Sequence, residues 1–197
     1  MWRPIVIALI VCLSLSILGN SDRALPDSSR TVRDAKLYTF SSNDQYFLSD
    51  AQPFILPPGT PLKETLDRLG KHLAETYFSR TAANKLTSIH FEIMRIEKID
   101  TPSRPLYLAV VNMVDPNRDA MEYFFQGSTG GQTTFCMLGA TFMQPHLESP
   151  LLDGLIILYN GELLPELDHI NLSGVLIPRL FRFVAIRAIH GTQREPV

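Results

Sequence analysis

Leu62, Leu66, Leu69, Leu73 and Tyr77 recur at spacings of four, three, four and four residues. Lys63, Glu64, Asp67, Arg68 and Lys71 fill the gaps, so the period predicts an amphipathic helix that lays one face on a sheet. Thr60-Pro61 opens it. The Thr60 hydroxyl is placed to cap the first amides, and proline suits a first helical position, where its missing N–H costs nothing. A second helix is expected over roughly 132–144. Phe135, Leu138 and Phe142 form its stripe, while Cys136, Met137, Ala140 and Met143 make the flanks apolar too. Such a helix is buried nearly all round.

Strand patterns surround these helices. Lys36-Leu37-Tyr38-Thr39-Phe40-Ser41 ends at Ser42-Asn43-Asp44, a turn cluster, and Tyr46-Phe47-Leu48 reads as the returning strand of a hairpin. Pro57-Pro58-Gly59 closes the unit. Two further runs, 89–99 and 106–114, are joined by Asp100-Thr101-Pro102-Ser103-Arg104-Pro105, a link short enough to demand antiparallel pairing. Residues 106–111 are apolar at both parities, which marks a central strand covered on both faces. Leu155-Ile156-Ile157-Leu158-Tyr159 forms a short strand that stops at Asn160-Gly161, a tight-turn signal. A last strand candidate lies at 181–189. The order ββαββαβ, with that candidate after it, predicts an α+β two-layer sandwich: two helices packed on one mainly antiparallel sheet.

The N-terminus sets the compartment. Residues 5–18 are uncharged and mostly apolar behind Arg3, short for a permanent span and suited to the core of an export signal. Residues 1–21 are therefore expected to be a signal peptide or an N-terminal anchor, and 22–35 a polar linker. Residues 36–164 form the domain, and 165–197 a C-terminal extension expected to pack on it. Cys12 lacks the small preceding residue that lipoprotein processing needs. With Cys12 inside the signal, Cys136 is the one remaining cysteine and no intramolecular disulfide can form.

Eighteen basic and twenty acidic residues give a formal charge of −2, which argues against nucleic-acid binding through a broad basic surface. Candidate chemistry is thin. Gly127-Ser128-Thr129-Gly130-Gly131 reads as a glycine-rich loop feeding a helix, where free amides can hold an anion. It lacks the lysine of a nucleotide-binding P-loop and lies outside any evident βαβ unit. The plain alternative is a flexible lead-in with Ser128 or Thr129 as helix cap. The five histidines are scattered, and His146-Leu147-Glu148 has no partner cysteine pair for a zinc deaminase site. Glu162, Glu166, Asp168 and His169 cluster in a loop after a strand, which suits either acid–base work or a solvated acidic loop. Cys136 sits in the most apolar helix, where thiolate formation is disfavoured. No catalytic residue, metal site or cofactor is expected.

These segments together resemble a GerMN domain, the module named from sporulation and spore-germination proteins. Lys36-Leu37-Tyr38-Thr39-Phe40 and Tyr46-Phe47-Leu48 resemble its opening strand, turn and return, and the helix with the 62–77 leucine period follows in place. Val110-Val111-Asn112-Met113 is similar to its valine-aspartate-leucine strand, with asparagine for aspartate. Leu138-Gly139-Ala140-Thr141-Phe142-Met143-Gln144-Pro145, led in by Gly130-Gly131, resembles its second helix, and residues 154–161 its closing strand and turn. The hairpin at 89–105 is long for the family, and 163–197 has no counterpart in it. The resemblance implies a fold like the ring-building modules of envelope-spanning complexes, and an exported, non-enzymatic role.

The expected function is thus a scaffold or adaptor in the periplasm or on the outer face of the cytoplasmic membrane. Its expected partners are envelope proteins or a second copy of itself, with membrane contact only if the N-terminal segment is retained. One alternative is a binding module for an anionic envelope ligand through Ser128, Thr129, Gly130 and Gly131. Another is a hydrolase using the 162–169 loop.

Overall fold

In the computed structural model, which describes residues 35–39, 50–79, 89–164 and 173–182, the leucine period becomes helix α1 (Leu62–Thr76). Leu62, Leu66, Leu69 and Leu73 are each at most 2% exposed, and Tyr77 caps the C-terminus half-buried. Burying each leucine is worth about 1.5–3 kcal/mol, so this stripe outweighs anything the solvent face contributes. That face carries Lys63–Asp67 at 2.8 Å and Arg68–Glu64 at 2.7 Å, exposed pairs worth a few tenths of a kcal/mol.

The start of α1 differs from its sequence reading. Pro61 is the N-cap, in an extended conformation, and its carbonyl accepts from Thr65 N–H at 2.9 Å. Thr60 stands one residue too early to cap. Its hydroxyl instead donates to the Pro57 carbonyl at 2.7 Å, and its N–H does the same at 3.2 Å. Gly59, at φ +78°, supplies the positive φ that this Pro-Gly turn requires.

β3 (His90–Ile99) and β4 (Leu106–Val114) pair antiparallel as their short link demands. β4 is central, and Tyr107 through Met113 are all buried, as apolar residues at both parities require. β5 (Gly154–Tyr159) lies on its other side and runs parallel to it, while the two-residue β6 (Glu162–Leu163) pairs antiparallel with β5. The sheet order is β3-β4-β5-β6, mainly antiparallel.

The parallel step has a cause in the connection. After β4 come a short helix α2 (Asp119–Phe124) and the long helix α3 (Gly127–Met143), which returns the chain to the start of the sheet. β4-α3-β5 is therefore a βαβ unit, which the sequence reading had not placed here. Helix α3 also starts five residues earlier than expected. Glycine, serine and threonine are poor helix formers, but burial of Met137, Leu138, Ala140, Phe142 and Met143 fixes the helix, and its first turns extend from that anchor.

β1 (Lys36–Thr39) and β2 (Asp50–Pro53) pair antiparallel in a separate two-stranded sheet, not in the main one. The return strand is Asp50–Pro53, and Tyr46, Phe47 and Leu48 lie outside the described residues. Phe54 N–H donates to the Ala35 carbonyl at 2.8 Å, so this ladder runs directly into the turn before α1.

The core fills the space between the helices and the sheet. Phe78 meets Phe91 and Phe124 edge-on, at 5.5 and 4.7 Å between ring centroids, and Phe91 meets Phe142 at 5.5 Å. This chain of rings joins the end of α1, β3, α2 and α3. Leu176 pairs with Leu155 through two backbone hydrogen bonds, and a 3-10 turn (Pro178–Leu180) then delivers Phe181 into the core. Phe181 and Arg182 are not strand as expected. Pro178 fixes the backbone of a tight turn, and Phe181 N–H closes it on the Pro178 carbonyl at 3.0 Å. Residues 183–189 lie outside the described residues.

Candidate functional site

In sheets with parallel strands, functional groups gather where the strands end at their carboxyl side. β4 and β5 end together, and the residues that follow them are polar: Asp115 after β4, Asn160-Gly161 after β5. Asn160 and Gly161 both have positive φ, 50° and 85°, as the Asn-Gly turn signal implies.

Side chains bind this end into a single network. Tyr159 donates its hydroxyl proton to Asp115 Oδ2 at 2.7 Å. Asp115 N–H donates to Asn160 Oδ1 at 2.8 Å, and Asn160 Nδ2 donates back to the Asp115 carbonyl at 3.0 Å. Gly161 N–H donates to Asn112 Oδ1 at 2.8 Å, and Asn112 Nδ2 reaches Glu92 Oε2 on β3 at 3.3 Å. His90 Nε2 stands 3.5 Å from Glu92 Oε1. Asp115 is 1% exposed, whereas Glu92 and His90 are half in solvent. A carboxylate this buried needs compensating donors, and the Tyr159 hydroxyl is one of them. The chemistry of the arrangement is a clasp on the turn, since its donors and acceptors are engaged with one another.

The glycine-rich segment stands elsewhere than expected. Gly127, Ser128, Thr129, Gly130 and Gly131 form the first turns of α3, not a loop, and Gln126 is the N-cap, without a side-chain capping bond. Gly127, at φ +67°, lets the chain turn into the helix. Gly131 is buried and Gly130 exposed.

Glu162 lies in β6 and is exposed, so it belongs to a strand rather than to a loop. Glu166, Asp168 and His169 fall outside the described residues. The two histidines nearest the core contacts are occupied: His72 packs against Phe54 at 5.6 Å, and His146 Nδ1 is 2.7 Å from the Tyr38 hydroxyl. Burial raises the Tyr38 pKa, so the phenol keeps its proton, and the imidazole tautomer decides which of the two groups donates. Among the described residues no group of three or more His, Cys, Asp and Glu side chains could hold a metal ion. Cys136 is half-buried, and burial pushes its thiol up to about 11.

A second cluster sits at the opposite end of the sheet. Arg104, in the β3–β4 link, makes a two-pronged ion pair with Asp153, at 3.0 Å through Nη1. Asp153 also accepts from Tyr107 N–H at 2.9 Å, which holds the entry of β5 against β4. The carboxylate raises the Arg104 pKa through these hydrogen bonds. Sequence reasoning missed both networks. Asp115 and Asp153 look like ordinary loop acids until parallel pairing brings the strand ends together.

Among the described residues no helix is long and apolar enough to cross a membrane, and residues 1–34 are not among them. The chain matches no family model, no curated protein and no solved structure.

Proposed function

We propose that this chain is an exported, non-enzymatic scaffold or adaptor domain that works by assembling with proteins of the cell envelope. The observation that carries this reading is the surface along β5. Leu163 is paired opposite Leu158, and Ile177 follows Leu176, which is paired opposite Leu155. Both therefore flank the outer edge of one strand, and Leu180 follows in the 3-10 turn. Their exposures are 60%, 45% and 55%. Single exposed apolar residues are ordinary, but several large ones along one sheet edge mark a contact surface. The apolar export-type segment at 5–18 and the likeness to GerMN domains support the same reading.

Site-specific photo-crosslinking in the native envelope tests it. A crosslinker at Leu163 or Leu180 is expected to yield a discrete protein adduct, and one at Glu64, on the charged face of α1, none. Absence of adducts from the apolar positions overturns the proposal. So does a small-molecule turnover by the purified protein that Glu162→Gln abolishes.

A further inference from the structure

β3 is the other outer strand of the main sheet, ten residues long, and no strand pairs with its outer edge among the described residues. Such an edge invites strand addition unless its side chains repel the incoming strand. The charge order along β3 decides which strand is repelled. A bulge between Ile93 and Arg95 shifts the parity of the strand, leaving Met94 as the extra residue. His90, Glu92, Arg95 and Glu97 therefore share one face, opposite Val114, Asn112, Val110 and Leu108 of β4. Phe91, Ile93 and Ile96 share the other, opposite Met113, Val111 and Ala109.

We propose that β3 pairs antiparallel with β3 of a second copy of this chain, with the two-fold axis at Ile93 beside the bulge. In that register Glu92 stands opposite Arg95 of the second copy and His90 opposite Glu97, each pair occurring twice by symmetry. Phe91 meets Ile96 and Ile93 meets Ile93 of the second copy, so apolar residues also face apolar ones, with the extra Met94 of each strand beside the axis. Directly opposed residues share a face in antiparallel pairing, and the bulge brings Glu92 and Arg95 onto the same face as this requires. Both copies carry the same extra residue, so the bulges oppose each other and the register stays even. Neighbouring registers are disfavoured by charge. Sliding two positions one way sets Glu92 against Glu97, and two the other way sets Glu92 against Glu92 of the second copy.

The exposure of these residues fits the same partner. Met94 is 56% exposed and sits beside the proposed axis, where pairing would cover it. His90 and Glu92 side chains are 53% and 49% exposed, and Arg95 and Glu97 are 35% and 31% exposed. Within one copy Glu92 also contacts Asn112 on β4, and Arg95 pairs with Glu97 along β3 on the same face. The inference deepens the assembly reading by naming one partner, and it uses the sheet edge opposite to the one that carries Leu163.

Sedimentation equilibrium of the full 197-residue chain in detergent micelles tests it, with folding of each variant checked by far-ultraviolet circular dichroism. The wild type is expected to be a dimer. Met94→Asp, which sets two carboxylates beside the axis at a position exposed in the monomer, is expected to be a folded monomer. Glu92→Arg places like charges opposite each other twice, and is expected to weaken the dimer about tenfold or more. Adding Arg95→Glu restores opposite charges and is expected to recover most of that loss. A monomeric wild type overturns the inference, as does a dimer indifferent to these variants or one that the double substitution fails to restore. Neither result bears on crosslinking at Leu163, so failure of self-pairing remains distinguishable from failure of the scaffold reading.

Discussion

The side-chain amide of Gln144 takes both backbone hydrogen-bonding groups of Lys36, accepting from its N–H at 2.7 Å and donating to its carbonyl at 2.8 Å. Gln144 thus replaces a neighbouring strand for β1, whose other edge pairs with β2. Thr141 extends the substitution by accepting from Tyr38 N–H at 3.2 Å. The residue sits at the C-cap of α3 with φ 49°, fully buried, so the left-handed backbone aims the amide at β1. Gln144→Ala strands the part-buried N–H and carbonyl of Lys36 and is expected to cost about 2–4 kcal/mol. Gln144→Glu keeps one acceptor but turns a second oxygen toward the carbonyl, and is expected to be no better. Urea unfolding measures the loss, and hydrogen exchange is expected to place it at the Lys36 and Tyr38 amides. Unchanged protection there would remove the surrogate-strand role.

Phe181 lies against the α3 backbone at Gly139, where an added methyl group would overlap three carbons of the ring. The ring also meets Phe135 edge-on at 4.9 Å. Gly139→Ala is expected to destabilise by about 1–3 kcal/mol through overpacking, and Phe181→Ala by about 3–5 kcal/mol through the cavity it leaves. The two effects share one contact, so they should not add. In the Phe181→Ala background, Gly139→Ala is expected to be nearly neutral. Additive losses would mean that the alanine methyl group meets something other than this ring.

How much of this was legible depended on whether a residue acts through a local period or through a distant pairing. The Leu62–Leu73 stripe, the β3–β4 hairpin and the Asn160-Gly161 turn were legible because their signals are complete within a few neighbours. The extension of α3 back to Gly127 was not, because its weak helix formers are carried by packing farther along the chain. Nor were the Asp115 and Asp153 networks, whose partners lie 44 to 49 residues away and meet only through the parallel β4–β5 register. Gln144 and Phe181 belong to the same class. Thr60 failed for a smaller reason, a shift of one residue that moves a hydroxyl from the helix amides to the preceding turn.

Thr65 is fully buried within α1, and its hydroxyl has no hydrogen-bond partner among the described residues. The nearest helical acceptor, the Pro61 carbonyl, already takes the Thr65 N–H. An unmatched buried hydroxyl costs about 1–3 kcal/mol, and valine has nearly the same shape and a similar helix propensity. Thr65→Val is therefore expected to stabilise the protein by about 1 kcal/mol. Thr65→Ser keeps the hydroxyl, loses a methyl group and is expected to destabilise. Denaturant midpoints of the two variants should move in opposite directions, and a destabilised valine variant would reveal a partner for the hydroxyl.

Cys136 couples stability to alkaline pH. Burial raises its thiol from 9.0 to about 11, so the folded protein holds the proton more tightly than the unfolded chain does. The unfolded state loses the proton first, and stability therefore falls as pH rises from about 9 through about 11, with the full contribution present below 9. Tyr38 and Tyr77, whose pKa values burial also raises from 10.0, act in the same direction above pH 10. Replacing the cysteine separates the terms: Cys136→Ala is expected to lose less stability than the wild type between pH 9 and 10, the loss that remains being that of the tyrosines. Below pH 9 the folded thiol should alkylate about a hundredfold more slowly than a free thiol, because its thiolate fraction falls tenfold for each unit of raised pKa. Rapid labelling by iodoacetamide at pH 8 in the folded state would mean that α3 opens to solvent at Cys136.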